Sequence, residues 1–131
     1  MTLELKIITP YGLYFTGKVD YLSVDTENGV LGVLPEHTPL ITTIKISKLN
    51  IKKTDGEFVF AVGGGVIDIE KENTTILLRS IESKTDIDVE RALKAKKRAL
   101  DRLQSGDKID VKRAEAALAR ALNRLRIAGR S

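Results

Sequence analysis

Aromatic residues, prolines and alanines are segregated along this chain of 131 residues. All six aromatic residues and all three prolines lie within residues 1–84, whereas nine of the ten alanines lie within residues 85–131. The charge divides as well, because the first part carries 9 basic and 11 acidic residues and the second part carries 13 basic and 7 acidic residues. Two compositions this different predict two architectures, a β-rich part followed by a helical part.

The residue types that are missing exclude several kinds of chemistry. Without cysteine the chain has no disulfide framework, thiolate metal site or cysteine nucleophile, and the single histidine, His37, excludes a multi-histidine metal centre. No apolar run approaches the roughly 20 residues that span a bilayer, and the first residues lack the pattern of a signal peptide. No pair of carboxylates has the spacing of an acid/base couple. We therefore expect a soluble intracellular protein that performs no catalysis of its own.

The first part has the pattern of short strands separated by turns. Thr54-Asp55-Gly56 is the clearest hairpin turn, because Asp and Gly tolerate the positive φ that tight turns need. Gly63-Gly64-Gly65 has no helix after it, so it predicts a strand bend or a close approach of backbones rather than a phosphate cradle. Short strands without intervening helices favour a β-sandwich or flattened barrel. Strands are expected at residues 3–8, 19–24, 32–34, 40–46, 49–53, 57–62, 66–69 and 74–78.

The second part has the pattern of two helices. Thr85 or Asp86 is the expected N-cap of the first helix, which continues to about Gln104. Ser105-Gly106-Asp107 then interrupts it, and the second helix runs over about 110–127. Its apolar positions are spaced by 3 and 4 residues, which predicts a helix-packing seam. The seam residues are Val111, Ala114, Leu118, Ala121 and Leu125, widened by Leu122, facing Val89, Leu93, Leu100 and Leu103 with Ala92 and Ala99 alongside.

A break this short returns the second helix antiparallel to the first. The predicted fold class is therefore α+β, with an N-terminal β-sandwich over residues 1–84 and a C-terminal antiparallel two-helix hairpin over residues 85–131. The seam is built largely from small residues, so opening the hairpin is expected to cost only a few kcal/mol.

Basic side chains follow both predicted helices. Arg91 and Arg98 share a face of the first helix, and Arg113, Arg120 and Arg124 form a stripe on the second. An antiparallel hairpin brings arginines from both helices towards one spot, where guanidinium groups can hold a polyphosphate bidentately. Two alternatives stay open: a solvated basic face with local ion pairs, and a nucleic-acid-binding hairpin, which the absence of stacking aromatic residues disfavours.

Two motifs in the first part resemble a known family. Residues 29–40 read G-V-L-G-V-L-P-E-H-T-P-L and fit the run G-x-L-G-x-L/Y-P-x-H-x-P-L of epsilon subunits of bacterial F-type ATP synthases. Residues 62–65, V-G-G-G, fit a second block of that family. The resemblance covers essentially the whole chain. It implies a non-catalytic rotor subunit of the central stalk, peripheral to the cytoplasmic face of the bacterial cell membrane and not inserted in it.

The resemblance also implies partners. The sandwich would bind the gamma subunit and the ring of c subunits, and the hairpin would restrain ATP hydrolysis by the alpha and beta subunits; no nucleic acid is implied. Many relatives carry an acidic residue after the first glycine of the 29–40 run, where this chain has Val30. Glu36 and His37 are therefore the candidates for a partner interface.

A narrower motif opens the first helix. Residues 87–92 read I-D-V-E-R-A and match the motif I/L-D-x-x-R-A. In Bacillus-like members of the family, this motif is associated with ATP binding by the hairpin. The resemblance implies ATP as a regulatory ligand that keeps the hairpin folded, with Asp88 orienting Arg91 or contacting the nucleoside and the arginines neutralising phosphate; a magnesium requirement stays open. The alternative function is a stand-alone ATP-sensing or ATP-binding module. The implied ATP-binding residues are Glu82, Ile87, Asp88, Arg91, Ala92, Arg98, Arg120 and Arg124.

Overall fold

The computed structural model describes residues 1–105 and 110–130. The chain separates into two compact units, Met1–Ser83 and Lys84–Ser131. The first unit contains eight strands, and the second contains a short 3-10 turn at Lys84–Asp86 followed by two helices. The strands are β1 (Leu3–Thr9), β2 (Gly12–Val19), β3 (Tyr21–Thr26), β4 (Gly29–Val33), β5 (Leu40–Lys53), β6 (Gly56–Ile69), β7 (Asn73–Leu78) and β8 (Ile81–Ser83); the helices are α1 (Val89–Gln104) and α2 (Val111–Ile127).

The strands form a sheet in the order β2-β1-β7-β6-β5-β3-β4, with β8 paired to β6. The β1–β7 pair is parallel and the other pairs are antiparallel. Alternate residues along a strand point to opposite faces, and in β1 the buried residues are Leu3, Leu5 and Ile7. The inward residues of β1 to β7 meet in one hydrophobic core. The predicted β-sandwich is therefore confirmed.

Two long strands replace four predicted short ones. The strand β5 runs through the predicted break at residues 47–48, and β6 runs through the glycine triplet. Gly64 has φ +95°, and a Cβ on Gly65 would collide with the carbonyl oxygen of Leu77 in β7. At the glycine triplet the partner on one side of β6 changes, because residues 60–62 pair with β8 and residues 65–69 pair with β7. Of the two predicted alternatives, a strand bend or a close backbone approach, the close approach is confirmed.

Two strands lie where none was predicted. The strand β2 is at the edge of the sheet and most of its residues are exposed or half-buried, so its sequence lacks a clear apolar alternation. The strand β8 is three residues long and half-buried throughout. The hairpin turn at Thr54-Asp55-Gly56 is confirmed, since Lys53 pairs with Gly56 across it.

The first helix starts later than predicted. Thr85 and Asp86 belong to the 3-10 turn, and the N-cap is Asp88, whose extended backbone lets its carboxylate reach the first turn of α1. The predicted end at Gln104 and the extent of α2 are confirmed. Gly106 and Asp107, predicted as parts of the break, lie outside the described residues.

The two helices pack through a seam whose fully buried residues are mostly alanines, and its predicted members Val89, Leu100, Leu103 and Leu118 are half-buried. Six residues separate Gln104 from Val111 and the helices are in contact, so they run antiparallel as an αα-hairpin. Its buried members are Ala92 and Ala99 in α1 and Ala114, Ala121 and Leu125 in α2.

Three predicted seam residues are mostly outside this contact. Leu93, Val111 and Leu122 are 46%, 53% and 41% exposed. Leu93 and Leu122 each lie one residue past a buried alanine, about 100° around the helix, and Val111 lies in the first turn of α2. Within the described residues, no helix is long and apolar enough to cross a membrane.

Candidate functional site

The start of α1 is built by the residues of the I-D-x-x-R-A motif. One carboxylate oxygen of Asp88 (Oδ1) accepts a hydrogen bond from the backbone N–H of Arg91 at 3.0 Å, and the Ala92 N–H donates to the Asp88 carbonyl at 3.0 Å. The side chains of Ile87 and Ala92 are buried, whereas Arg91 is exposed. Asp88 thus orients the backbone of Arg91, and any ligand contact of Ile87 or Ala92 falls to backbone groups.

The same local structure opens α2. Residues 110–114 read D-V-K-R-A and repeat the D-V-E-R-A of residues 88–92. The Asp110 carboxylate accepts from the Arg113 N–H at 3.1 Å, the Ala114 N–H donates to the Asp110 carbonyl at 3.1 Å, and Ala114 is buried in the seam. The repeat is visible in the sequence and was missed by the motif analysis. The motif therefore has a helix-capping role at both sites, independent of any ligand.

The repeat allows a matched test of capping. Replacing Asp88 or Asp110 with alanine is expected to reduce the stability of the hairpin by about 1 kcal/mol each, because each change leaves one N–H at a helix start without its acceptor. Amide hydrogen exchange of α1 and α2 measures the loss. Protection that stays unchanged in the Asp88→Ala variant and falls in the Asp110→Ala variant would contradict the capping role of Asp88.

Each predicted arginine directly precedes a buried residue of the helix seam in the sequence. Successive residues turn by about 100°, so each arginine lies to the same rotational side of its own helix's seam. Because the helices run in opposite directions, these sides form the same flank of the hairpin, which we call the arginine flank. Arg91, Arg98, Arg113, Arg120 and Arg124 precede Ala92, Ala99, Ala114, Ala121 and Leu125 respectively.

The heights of the arginines along the hairpin separate one of them from the rest. Arg91 stands as far from the end of α1 at Gln104 as Arg124 stands from the start of α2, so these two lie at the same height. Arg98 and Arg120 lie within about one helical turn of each other. Arg113 lies about three turns from Arg124, beside the connection between the helices. The four arginines of the predicted site thus occupy the flank beyond Arg113.

Few of these positive charges are neutralised locally. Arg91 and Arg98 are exposed and Arg120 is half-buried, and among residues 1–105 and 110–130 none of the three forms an ion pair. An ion pair within α1 joins Lys94 Nζ to Glu90 at 3.9 Å, with both side chains largely exposed, so it contributes little to stability. The arginine flank therefore offers guanidinium groups to an anionic ligand or surface.

Glu82 lies in a strand of the first unit, whereas the arginines lie in the two helices of the second unit. It is in β8, where it pairs with Ala61 of β6 and is half-buried. Because β8 belongs to the first unit and the arginines belong to the second, a contact between Glu82 and a ligand on the arginine flank stays a prediction.

Glu36 and His37 shape a turn after β4. The His37 N–H donates to the Leu34 carbonyl at 3.2 Å, and Glu36 has φ +66°, an uncommon conformation for a residue with a side chain. The His37 Nδ1–H donates to the carbonyl of Thr38, which is the loop-shaping role that its place between two prolines suggests. Val30 and Leu34 are 77% and 60% exposed, so this segment presents apolar side chains next to Glu36.

Two protein-family models together match residues 2–129 of the chain. Residues 2–84 match the ATP synthase delta/epsilon chain β-sandwich domain, and residues 85–129 match the ATP synthase delta/epsilon chain long α-helix domain. The chain belongs to the ATP synthase delta/epsilon chain family. The boundary between the two family models lies at residues 84 and 85, inside the segment that leads from β8 to α1.

Curated members of this family resemble the chain over most of its length. The ATP synthase epsilon chain of Halalkalibacterium halodurans is 44% identical over 103 residues, which cover 79% of this chain and 77% of that relative. The ATP synthase epsilon chain of Bacillus licheniformis is 41% identical over 103 residues, 79% of each chain.

Chains from two mitochondrial ATP synthase structures share the fold of this chain. A chain of the Euglena gracilis OSCP/F1/c-ring structure superposes with a TM-score of 0.79 at 21% identity, over 90% of this chain and 76% of that chain. A chain of the Tetrahymena thermophila mitochondrial ATP synthase central stalk/c-ring structure superposes with a TM-score of 0.66 at 13% identity, over 98% of this chain and 97% of that chain. At these identities the agreement concerns the fold alone.

Proposed function

We propose that the chain is a non-catalytic subunit of the central stalk of a proton-translocating ATP synthase, and that its hairpin restrains ATP hydrolysis in a manner sensitive to ATP. Membership in the delta/epsilon chain family supports the stalk role. The observation that carries the regulatory role is the arginine flank, because it assembles cationic groups from two separate helices.

ATP is the proposed ligand of the arginine flank. The guanidinium groups of Arg91, Arg98, Arg120 and Arg124 hold the phosphates through charge-assisted hydrogen bonds. One oxygen of Asp88 caps α1, and its other oxygen is available to a hydroxyl of the ribose. The backbone at Ile87 and Ala92 completes the proposed site on the second unit, and Glu82 is the further ligand residue that the family resemblance implies. The magnesium requirement is tested by titrating ATP into the chain with and without the ion, which would bind the phosphates.

ATP acts as a switch in this proposal because the site needs both helices. Two of the four arginines come from α1 and two from α2, so separating the helices removes half of the phosphate contacts. A ligand shifts an equilibrium only by its preference for one state, and here ATP prefers the closed hairpin. The alanine seam buries little apolar surface per residue, which keeps the cost of opening small enough for a ligand to control.

The proposed partners follow from the two units. The sandwich binds the gamma subunit and the c-ring, with the turn at Glu36 and His37 and the exposed Val30 as contact candidates. The opened hairpin extends along gamma and offers its basic residues to acidic segments of the beta subunits. The chain is then peripheral to the cytoplasmic face of the membrane, held there by the complex.

Removal of the hairpin tests the regulatory role. A complex assembled with residues 1–85 is expected to hydrolyse ATP several-fold faster at low ATP than a complex assembled with the full chain, because the inhibitory element is missing. Steady-state hydrolysis by the two complexes is the measurement. Equal rates at low ATP would count against inhibition, and failure of the full chain to co-purify with gamma would favour a stand-alone ATP-binding module.

A further inference from the structure

Four of the six aromatic residues of the chain gather around one groove in the first unit. The groove has a volume of about 280 Å³ and lies between the β1–β2 hairpin and the β5–β6 hairpin. Its floor is formed by the buried side chains of Ile7 and Ile51. Its walls are the rings of Tyr14, Phe15, Phe58 and Phe60.

Strand register explains why these rings converge. In the β1–β2 pair, Ile7 is opposite Phe15 and Ile8 is opposite Leu13, so Tyr14 is an extra residue in a bulge. A bulge re-aims neighbouring side chains, and here the rings of Tyr14 and Phe15 both line the groove.

The opposite wall comes from the β5–β6 hairpin. Ile51 pairs with Phe58, and Phe60 stands on the same face two residues later. The rings of Tyr14 and Phe60 meet edge to face with centroids 6.2 Å apart. The two walls are therefore in direct contact at one point, which fixes the shape of the groove.

One cation is associated with this aromatic groove. The ammonium nitrogen of Lys53 lies 5.4 Å from the centroid of the Phe15 ring and 5.3 Å from that of the Phe58 ring. Both distances are within the range of cation–π interactions. Within the part of the chain that the structure describes, no carboxylate pairs with Lys53. The groove thus combines apolar walls with an ammonium group that has no anionic partner among the described residues.

We propose that this groove receives an apolar side chain of a partner polypeptide, while the carboxylate of a neighbouring acidic residue on that partner binds Lys53. The charge at the groove favours an anionic group, and the aromatic walls favour an apolar one. A volume of about 280 Å³ is just below the roughly 300–1,000 Å³ of pockets for drug-sized ligands, so the groove fits one or two side chains.

The composition of the surrounding surface agrees with a protein partner. Tyrosine and phenylalanine are enriched at the centres of protein interfaces. Tyr14 and Phe58 are 44% and 38% exposed, and Tyr11 is 98% exposed in the turn between β1 and β2. The inference goes beyond the proposed nucleotide site, because the groove lies in the first unit and the arginine flank lies in the second.

The test uses two blocked tetrapeptides with the sequences Ala-Phe-Asp-Ala and Ala-Phe-Asn-Ala, titrated into the full chain and followed by NMR of the phenylalanine rings. The aspartate peptide is expected to shift the signals of Phe15 and Phe58 and to bind at least fivefold more tightly than the asparagine peptide. Lys53→Met is expected to remove this preference. Lys52→Met is the matched control, since Lys52 is exposed on the opposite face of β5, and it should leave the preference unchanged.

Equal binding of the two peptides, or shifts confined to residues outside the groove, would overturn the proposal. An equal effect of the two lysine variants would overturn it as well. Co-purification of the unaltered chain with the gamma subunit tests the stalk role separately, because an absence of gamma binding would contradict that role and leave the peptide result standing.

Discussion

Replacing Gly65 with alanine is expected to destabilise the first unit by about 3 kcal/mol or more, the upper end of the range for overpacking a closely fitted interior. A Cβ at this position would collide with the backbone carbonyl oxygen of Leu77 and lie 3.0 Å from the Cα of Leu78. Backbone atoms of a central strand cannot rotate away as a side chain can, so β6 and β7 must separate. Urea unfolding monitored by circular dichroism measures the loss.

Gly17→Ala is the control for this substitution. A Cβ on Gly17 would lie 3.2 Å from the tip of the Phe15 ring, and a ring can move by a few tenths of an ångström. We therefore expect a change of about 1 kcal/mol or less in either direction. Similar stabilities for the Gly65→Ala and Gly17→Ala variants would contradict the close approach of β6 and β7.

Replacing Arg91 or Arg98 with alanine is expected to weaken ATP binding by the full chain at least tenfold. Each change removes a charge-assisted hydrogen bond to phosphate, worth about 1.5–3 kcal/mol, and every 1.4 kcal/mol corresponds to a factor of ten in affinity. Both side chains are exposed, so the fold should tolerate their loss. Isothermal titration calorimetry with ATP, with and without magnesium, is the measurement.

Arg113→Ala is the matched control for these two variants. Arg113 has the same capping motif around it as Arg91 and lies on the same flank, but about three turns from the height of Arg124. Its removal should change ATP affinity by less than about twofold, the effect of one distant, screened charge. An equal loss for Arg91→Ala and Arg113→Ala would indicate general electrostatic attraction in place of a defined site.

The sequence predicts best those elements whose signals are local. The turn at Thr54-Asp55-Gly56 and the C-terminal ends of both helices follow from a few neighbouring residues, and the structure confirms these predictions. The sequence does not predict the edge strand β2. This strand has a neighbour on one side only, so most of its residues are exposed or half-buried and its sequence needs no apolar alternation. The break assumed in β6 was wrong because glycine triplets interrupt the apolar pattern without ending the hydrogen-bonded strand.

The candidate site was only partly accessible to sequence reasoning. The spacing of the arginines predicts shared faces on each helix, but their common flank depends on which residues form the seam. Leu93 and Leu122 were expected in the seam, and their exposure shows that it is narrower and rests on alanines. The N-cap of α1 lies later than the sequence predicts, because Thr85, Asp86 and Asp88 all suit an N-cap and only the backbone conformation selects among them.

The central claim is that one nucleotide is surrounded by arginines from both helices of the closed hairpin. The most direct test is an ATP titration of the full chain followed by NMR of the arginine Nε–Hε signals. The signals of Arg91, Arg98, Arg120 and Arg124 should shift together with a single dissociation constant, while that of Arg113 stays in place. Shifts limited to the arginines of one helix, or an equal response from Arg113, would contradict the claim.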